Sequence, residues 1–382
     1  MNNTVERSLD LAVRIQQIPA PTFDEGPRAR FVQELFVQEG LPDVSTDAVG
    51  NVYARLPGRG DARPLVVSAH LDTVFPASTP LTCTRREDRL YGPGIGDNSL
   101  GVAALFGLIW SLRERHARPA GDIWLAANVG EEGLGNLRGI AAVADRFGAD
   151  VTGYLVIEGT ALGHIYHRAI AVQRYRVTVR TAGGHSWSDY EQPSAIHELA
   201  RIVTQLTGLP VPSSPRSSLN VGIISGGTGV NVVAPQAALE LDIRSESAAT
   251  LDELELDIRS ESAATLDELF RRVKETVASA DREGVSASIE EIGRRPAGQL
   301  SEDHPLVRLA GQCLAEQGWQ ASFTSGSTDA NIPLSRGYPA LVLGVTTGGG
   351  AHTVQEYIDI PPIEKGLAQL ACFAERAFGA RG

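Results

Sequence analysis

The sequence has few cysteines, fewer basic than acidic residues and no long uninterrupted apolar run. Its three cysteines, Cys83, Cys313 and Cys372, are odd in number and widely spaced. They predict neither a disulfide framework nor a paired-cysteine zinc site, and each is expected to be a buried small apolar residue. Lys and Arg total 34 against 46 Asp and Glu, a formal net charge of −12, which argues against a nucleic-acid partner.

Two further absences concern membranes and secretion. No stretch approaches the roughly 18 consecutive apolar residues of a membrane span. The polar N-terminal segment MNNTVERSLD has neither the apolar core nor the cleavage site of a secretory signal. The sequence therefore predicts a cytoplasmic protein without a membrane partner.

The chain does have an ordinary globular composition and one exact internal repeat. Its 382 residues are 42% hydrophobic and 21% charged, and a chain of this length is expected to form two domains. Residues 239–253 and 254–268 are the same letters, LELDIRSESAATLDE. Since two copies cannot occupy one strand position, the first copy is expected to form the strand. Residues 246–262 are then extra loop or a helical extension.

The order of the hydrophobic patterns predicts an α/β fold interrupted by a second domain. The N-terminal part alternates helical patterns with short apolar runs such as PLVVSAHLDTV (64–74) and GYLVIEG (153–159). This alternation is typical of a parallel sheet with helices on both faces. Residues 172–296 follow a β-α-β-β-α-β order, which predicts a separate α+β domain. Residues 1–171 and 297–382 then form the first domain, into which the second is inserted.

Each buried strand run of the predicted first domain ends in residues that can bind a metal. His70 follows the first run, Glu131 and Glu132 the second, and Glu158 the third. The final run, PALVLGV, leads through three glycines to His352. Ligands of open α/β sheets bind at the carboxyl ends of the strands, so these side chains are expected to converge on one rim.

Asp97 is expected at the same rim. It lies in GPGIGDNSLG, just before a predicted central helix over 98–116, where it is placed to cap that helix and still reach the rim. Two imidazoles with several carboxylates match zinc-type divalent ions, and one carboxylate bridging two ions would account for the surplus of acids. The five candidate ligands are His70, Asp97, Glu132, Glu158 and His352.

Seven segments, in this order, resemble the M20 family of di-zinc metallopeptidases and amidohydrolases: SAHLDTV, YGPGIGDNSLG, GEEGLGNLRG, IEG, GGHSW, NVVAP and GGGAHTVQEYI. The resemblance covers essentially the whole chain. It implies a zinc-peptidase-like mixed sheet with helices on both faces, plus an inserted α+β domain that acts as lid and dimerisation surface. It also implies two Zn²⁺ ions per chain, with Co²⁺ or Mn²⁺ as substitutes, and a cis peptide bond between Asp97 and Asn98.

The resemblance divides the candidate ligands between the two ions. Asp97 would bridge them, with His70 and Glu158 completing one site and Glu132 and His352 the other.

The same resemblance implies three catalytic roles. Glu131 would be the general base. Asp72 would accept the second ring N–H of His70 and so fix its tautomer, because residues two apart on a strand project to the same side. His185, in GGHSW, would reach in from the lid of the partner subunit and donate to the oxyanion of the intermediate.

Substrate contacts are implied for a further set of residues. Asn231, in GVNVVAP, matches a lid asparagine that contacts substrate. Arg244, or its duplicate Arg259, matches an arginine that binds a substrate carboxylate, for which a planar guanidinium fork is suited. Ser327 and Thr328 belong to SGSTDAN, which resembles the substrate-side loop of the family.

These residues predict an enzyme that hydrolyses an amide bond with a metal-activated water. Small peptides are the expected substrates, because HLDTVFP and GGHSW resemble tripeptidase-like members. N-acyl amino acids are the alternative, because Glu158 at its ligand position is more usual in the deacylase branches. A homodimer through the inserted domain is also expected.

Two other functional classes compete with a hydrolase. The first is a metal-containing but inactive interaction protein, and the complete set of candidate residues argues against it. The second is a dinucleotide-binding enzyme, which GPGIGD alone suggests. That segment does not open a helix directly after a strand, so this reading is disfavoured.

Overall fold

The computed structural model describes residues 3–214, 216–246 and 258–380, apart from the side chains of residues 258–266. The chain divides into two compact units. The first unit consists of Met1–Ala169 and Gly298–Gly382, and the second of Ile170–Ala297.

The helices of the described chain are α1 (Asn3–Gln16), α2 (Gly26–Gln38), α3 (Gly101–Glu114), α4 (Arg138–Phe147), α5 (Ala195–Thr207), α6 (Ile258–Ala278), α7 (Pro305–Glu316), α8 (Asn331–Ser335) and α9 (Ile363–Arg376). The strands are β1 (Ser45–Thr46), β2 (Val52–Leu56), β3 (Ala62–His70), β4 (Thr84–Arg86), β5 (Arg89–Tyr91), β6 (Gly121–Asn128), β7 (Gly153–Glu158), β8 (His164–Ala169), β9 (Ala171–Thr181), β10 (Gly184–His185), β11 (Ser217–Gly226), β12 (Val232–Val233), β13 (Gln236–Ser245), β14 (Val285–Arg295), β15 (Gly298–Gln299), β16 (Ser322–Gly326), β17 (Ala340–Gly344), β18 (Gly348–Gly349) and β19 (Tyr357–Asp359). Short helical turns lie at Ile95–Leu100, Gly133–Gly135 and Ala377–Gly379.

A nine-stranded mixed sheet lies at the centre of the first unit. Its order is β1-β2-β6-β3-β7-β17-β8-β15, with β16 beside β8. The neighbours β6, β3, β7 and β17 all run parallel. Alternate residues of β3 enter different cores, with Leu65 and Val67 on one face and Val66 on the other. Helices α1, α3 and α9 cover the first face and α4 the second, which confirms the predicted mixed sheet with helices on both faces.

Helix α3 is buried almost completely beneath this sheet. The segment Ile95–Glu114 has the length and mean hydropathy of a membrane-crossing helix, and 94% of its most apolar window is buried inside the protein. The sequence predicts a central helix over 98–116, and glycine and serine keep its uninterrupted apolar run shorter than a membrane span. The burial identifies the segment as the core helix of the first unit.

A disulfide bond joins α7 to α9 in the first unit. It links Cys313 and Cys372, whose Cα atoms are 5.8 Å apart. The prediction that the cysteines are unpaired is wrong for these two residues. They are 59 residues apart in sequence, and only the packing of α7 against α9 brings them together. Cys83 has a free thiol and is half-buried.

The second unit is a four-stranded antiparallel sheet with two helices on one face. The strand order is β11-β13-β9-β14, so the chain follows a β-α-β-β-α-β path. Alternate residues such as Val177, Val179 and Leu239 pack against Leu199 of α5 and Val273 of α6. The predicted α+β character of the insertion is confirmed. A short pair, β10 with β12, lies beside this layer.

The two copies of the repeat adopt different conformations. In the first copy the letters IRS complete β13 at Ser245, and in the second the same letters open α6 at Ile258. The first copy forms the strand, as predicted, and α6 begins earlier than the predicted Thr265. One sequence in two states shows that tertiary neighbours override local propensity here. The rest of the predicted excursion, residues 247–257, lies outside the described residues.

Candidate metal centre

Parallel strands bring most of the predicted site residues to one edge of the central sheet. His70 is the last residue of β3, Glu158 is the last of β7, and Glu131 and Glu132 follow β6. Because β6, β3 and β7 are neighbours that run in the same direction, their carboxyl ends meet. His352 reaches the same edge from the segment after β18.

Asp97 lies in the helical turn that precedes α3. Its peptide bond to Asn98 is cis, as the family resemblance implied. The side chain of Asn98 ties this turn to the end of β7, donating to the carbonyl of Ile157 (2.8 Å) and accepting from the N–H of Gly159 (3.0 Å). The expectation that Asp97 caps α3 is wrong, because the helix has no side-chain cap and the carboxylate is turned toward the histidines.

The two oxygens of Asp97 face different histidines. Oδ1 lies 3.1 Å from Nε2 of His70, and Oδ2 lies 3.1 Å from Nε2 of His352. Glu158 Oε2 is 3.7 Å from the same nitrogen of His70, and Glu132 Oε1 is 3.3 Å from that of His352. The structure therefore groups these residues into two triads that share Asp97, with the donor atoms of each triad within 4.8 Å of one another.

Burial and mutual attraction shift the pKa values of the whole cluster. Burial raises the pKa of Glu132 and of Glu158 to about 7. Hydrogen bonds to carboxylates raise the pKa of His352 to about 10. Burial alone would lower the pKa of His70, but its carboxylate neighbours raise it well above the usual value. Burial would raise the pKa of Asp97, but the two imidazoles hold it well below the usual range.

This electrostatic pattern fits a site for cations. Several carboxylates are crowded into a poorly solvated place, where their negative charges repel one another. Protons on the imidazoles offset part of that charge. A divalent cation at each triad would neutralise the carboxylates more completely, and the imidazoles would release their protons as it bound.

Asp72 supports the loop that carries the glutamate pair. Its carboxylate accepts from the N–H groups of Glu131 (3.0 Å) and Glu132 (2.9 Å) and from the Thr22 hydroxyl (2.9 Å). Burial would raise the pKa of Asp72, but His70 and these N–H groups hold it below the usual value.

The contact between His70 and Asp72 differs from the prediction. Nδ1 of His70 lies 3.1 Å from the backbone carbonyl of Asp72 but 3.6 Å from its carboxylate. The carbonyl is therefore the acceptor of the ring N–H, because the longer distance exceeds that of a hydrogen bond. The physical reason is that β3 ends at His70, so the alternation of a strand no longer applies to Asp72. The tautomer is still fixed, with Nε2 left to face Asp97.

Glu356 is a buried carboxylate whose role sequence reasoning missed. Its Oε1 accepts from the N–H groups of Gly96 (2.7 Å) and Asp97 (2.8 Å), and its Oε2 accepts from that of Gly94 (2.9 Å). Burial raises its pKa to about 7. Glu356 thus holds the turn that presents Asp97. Its one sequence signal was its place in the motif GGGAHTVQEYI, after His352.

Two charged residues from the N-terminal segment also hold the loops of the site and were missed. Arg28 is buried and donates to the carbonyl of Leu71, between the two site residues of that loop (2.7 Å). Glu25 accepts from the N–H of Gly130 (3.1 Å) and pairs with Arg138 (2.9 Å). Nothing in their sequence spacing indicates these contacts, because Arg28 reaches a residue 43 positions away and Glu25 one 105 positions away.

The residues Ser327 and Thr328 lie in the turn between β16 and α8. The N–H of Thr328 donates to Oδ1 of Asn331 (2.9 Å), and its hydroxyl accepts from the N–H of Ala330 (3.2 Å). Thr328 therefore shapes the start of α8. Asp329, in the same turn, is fully buried.

His185 and Asn231 come together within the second unit. His185 is paired with Val232 across β10 and β12, and Asn231 directly precedes β12. His185 is exposed, and its Nδ1 accepts from the N–H of Trp187 (3.2 Å). A neutral ring that accepts at Nδ1 carries its proton at Nε2, so the other side of the ring is a hydrogen-bond donor.

Arg244 lies near the far end of β13 from Asn231. Its Nε donates to Oδ1 of Asp242 (2.6 Å), whose Oδ2 accepts from Nε of Arg174 (2.9 Å). The carboxylate of Asp242 thus accepts from the guanidinium groups of both arginines. The side chain of the duplicate, Arg259, lies outside the described part of the chain.

Comparison with known proteins agrees with this fold. The model of peptidase family M20/M25/M40 matches residues 66–376. Succinyl-diaminopimelate desuccinylase of Corynebacterium glutamicum is 23% identical over 385 residues, which cover 95% of this chain and 96% of the relative.

Solved structures share the fold at lower identity. A tripeptidase from Staphylococcus aureus has a TM-score of 0.75 and 20% identity, covering 98% of this chain and 99% of its own. A dinuclear metal-binding peptidase of the M20 family from Bacillus subtilis has a TM-score of 0.66 and 16% identity, covering 99% of both chains. The family match spans most of the sequence and includes all the candidate ligands. The chain therefore belongs to peptidase family M20/M25/M40 and is a metal-dependent hydrolase.

Proposed function

We propose that this protein hydrolyses the amide bond of small peptides at a centre of two divalent metal ions. The position of Asp97 carries this proposal, because each of its oxygens faces a different triad. Imidazole nitrogens with carboxylate oxygens form the donor set of Zn²⁺, for which Co²⁺ or Mn²⁺ can substitute. His70, Asp97 and Glu158 would hold one ion, and Asp97, Glu132 and His352 the other.

Glu131 is the proposed general base. Two ions held at the triads would lower the pKa of a water and polarise the substrate carbonyl. Glu131 is buried, and one of its oxygens lies within 4.8 Å of ligand atoms of His70 and Glu132. It is thus placed to take a proton from the water and return it to the departing amine. Asp72 fixes the backbone of Glu131 and so holds the base in position.

Other residues are proposed to bind the substrate. Arg244 suits a substrate carboxylate, because its planar guanidinium group can pair with both carboxylate oxygens. Asn231 would contact the substrate from beside His185. Ser327 and Thr328 would line the pocket from the turn before α8.

We also propose a homodimer through the second unit. Strand β11 lies at the edge of its sheet, and β13 is its one strand neighbour in the described part of the chain. It carries Ile223 and Ile224, which are 56% and 60% exposed. An apolar edge strand of this kind favours association with another chain. In that dimer the Nε2–H of His185 would stabilise the oxyanion in the partner's site.

Mixing a His185→Ala chain with a Glu131→Gln chain is expected to restore activity that neither has alone. One site of each heterodimer then combines an intact Glu131 with an intact His185 from across the interface. With equal amounts and free exchange, about a quarter of the wild-type rate should return, since half the dimers are mixed and each has one complete site.

One control sample accompanies the mixing experiment. Differently tagged His185→Ala chains should exchange and stay inactive when mixed with each other. If the two variants exchange and no activity returns, His185 acts within its own chain or has no catalytic part.

Release of amine from two substrate panels tests the proposed activity. We expect the zinc-loaded protein to cleave dipeptides and tripeptides faster than N-acyl amino acids. N-acyl amino acid deacylation is the second candidate, favoured by Glu158 and by the desuccinylase name of the Corynebacterium relative. Faster cleavage of acyl amino acids would select that candidate. Turnover of neither panel would contradict the amide hydrolase and favour a metal-containing interaction protein.

Location and further partners remain predictions. The net charge of −12 supports the expected lack of a nucleic-acid partner. The burial of α3 within the first unit supports the expected lack of a membrane partner. The disulfide between Cys313 and Cys372 weighs against the cytoplasm, because disulfides are rare in cytosolic proteins.

A further inference from the structure

A buried pair beside the candidate metal centre contains two unsatisfied oxygens. Asn128 is the last residue of β6, Asp329 lies in the turn before α8, and both are completely buried. Nδ2 of Asn128 donates to Oδ2 of Asp329 over 2.8 Å. Within the described part of the chain, Oδ1 of each residue is buried and has no hydrogen-bond partner. Buried acceptors without donors are costly, so two in one pair need an explanation.

We propose that Asp329 is held as a neutral carboxylic acid that shares its proton with Asn128 in a doubly hydrogen-bonded acid–amide pair. An ionised carboxylate has only acceptors, whereas the protonated group also has one O–H donor. With the proton on its Oδ1, Asp329 donates a hydrogen bond, and Oδ1 of Asn128 accepts it. A single proton therefore accounts for both oxygens.

The charges around Asp329 favour the same state. Complete burial disfavours its ionised form, and the carboxylates of Glu131 and Glu158 disfavour it further, whereas His70 acts in the opposite direction. The net result is a pKa well above the usual value of an aspartate. Asp72 is as deeply buried but accepts three hydrogen bonds, and its pKa is lowered. The two acids thus have opposite protonation states beside one site.

The pair joins two segments of the proposed active site. Asn128 ends β6 just before the loop with Glu131, and Asp329 shares its turn with Ser327 and Thr328. Given the proposed function, Asp329 is a positioning residue that holds the substrate-side turn against β6. Because the link is neutral, it adds no negative charge near the general base.

Removal and rescue test the positioning role. Asp329→Ala removes the link that holds the substrate-side turn against β6 and is expected to lower kcat/KM about tenfold, because the turn then positions the substrate less well. Asp329→Asn keeps an acceptor and supplies an N–H for the orphaned oxygen, so it should recover most of that loss. Asp72→Asn is the matched control, because it makes the same substitution at an aspartate that is ionised. This variant should lose about 10- to 100-fold in metal affinity or activity.

The pH dependence of stability reports the protonation state. In the unfolded chain Asp329 ionises near its ordinary pKa of about 4, while in the folded chain it keeps its proton. As the pH rises from the pKa of the unfolded chain toward the higher pKa of the folded chain, the free energy of unfolding of the wild type therefore falls relative to that of Asp329→Asn. The Tm of the variant minus that of wild type should grow from about pH 5 to about pH 8. An ionised Asp329 would give a difference that does not change over this range.

Infrared spectroscopy gives the direct readout. The wild-type spectrum minus that of Asp329→Asn, at neutral pH and with metal bound, should contain the C=O band of a protonated carboxyl. A carboxylate band with a constant Tm difference would overturn the proposal. If the variant does not fold, wild type with isotope-labelled aspartate carboxyls is titrated by NMR, where Asp329 must stay protonated at neutral pH. These readouts do not depend on turnover, so an inactive protein with this protonated carboxyl contradicts only the proposed function.

Discussion

Replacing Glu131 with glutamine is expected to lower kcat/KM by about 10²- to 10⁴-fold, the contribution of a positioned general base. The amide keeps the size of the side chain and cannot take a proton from water. The backbone hydrogen bond from residue 131 to Asp72 does not involve the changed group, so the loop should keep its position. Metal content, measured by elemental analysis on the same sample, should be that of wild type.

The neighbouring residue provides the matched control for this result. Glu132 lies on the same loop, but its carboxylate contacts His352 in a triad. Glu132→Gln should therefore lose metal together with activity, whereas Glu131→Gln loses activity alone. Undiminished turnover in Glu131→Gln, or loss of metal from it, would assign the base to another residue.

Replacing Asp97 with asparagine is expected to have the other large effect. One oxygen of Asp97 faces each triad, and an asparagine retains one oxygen and turns its NH₂ toward the other triad. Both sites also lose the negative charge they share. Metal binding should weaken at both sites, and kcat/KM should fall by about 10³-fold or more, since a catalytic metal contributes several kcal/mol.

Asp122→Asn is the control for Asp97→Asn. Asp122 pairs with Arg55 away from the candidate ligands, and its side chain is partly exposed. An exposed ion pair contributes about 1 kcal/mol or less, so this variant should keep its metal and its activity. Two tightly bound ions in Asp97→Asn would show that this carboxylate does not bridge them.

The candidate ligands could be predicted from sequence because strand topology places them. His70 and Glu158 end parallel neighbours in the sheet, and Glu132 follows a third, so convergence followed from the α/β pattern alone. The family resemblance implied that Asp97 lies between the two triads. Its predicted cap on α3 was wrong, because the carboxylate faces the histidines and leaves the helix end without a side-chain cap.

Residues that act through tertiary hydrogen bonds could not be predicted. Glu356 holds the turn of Asp97 through three backbone N–H groups, and no spacing rule indicates such a contact. The acceptor for the His70 ring depended on where β3 ends, which a hydrophobic pattern leaves uncertain by a residue or two. The bridge between Cys313 and Cys372 required the packing of two helices that the sequence separates widely.

Two divalent ions per chain, one on either side of Asp97, are the basis of the proposed reaction. The most direct measurement is elemental analysis of wild-type protein prepared without chelator, at neutral pH and again at low pH. We expect two ions per chain at neutral pH and their loss at low pH, because His70 and His352 must be neutral to bind metal. At most one ion per chain at neutral pH would contradict this expectation.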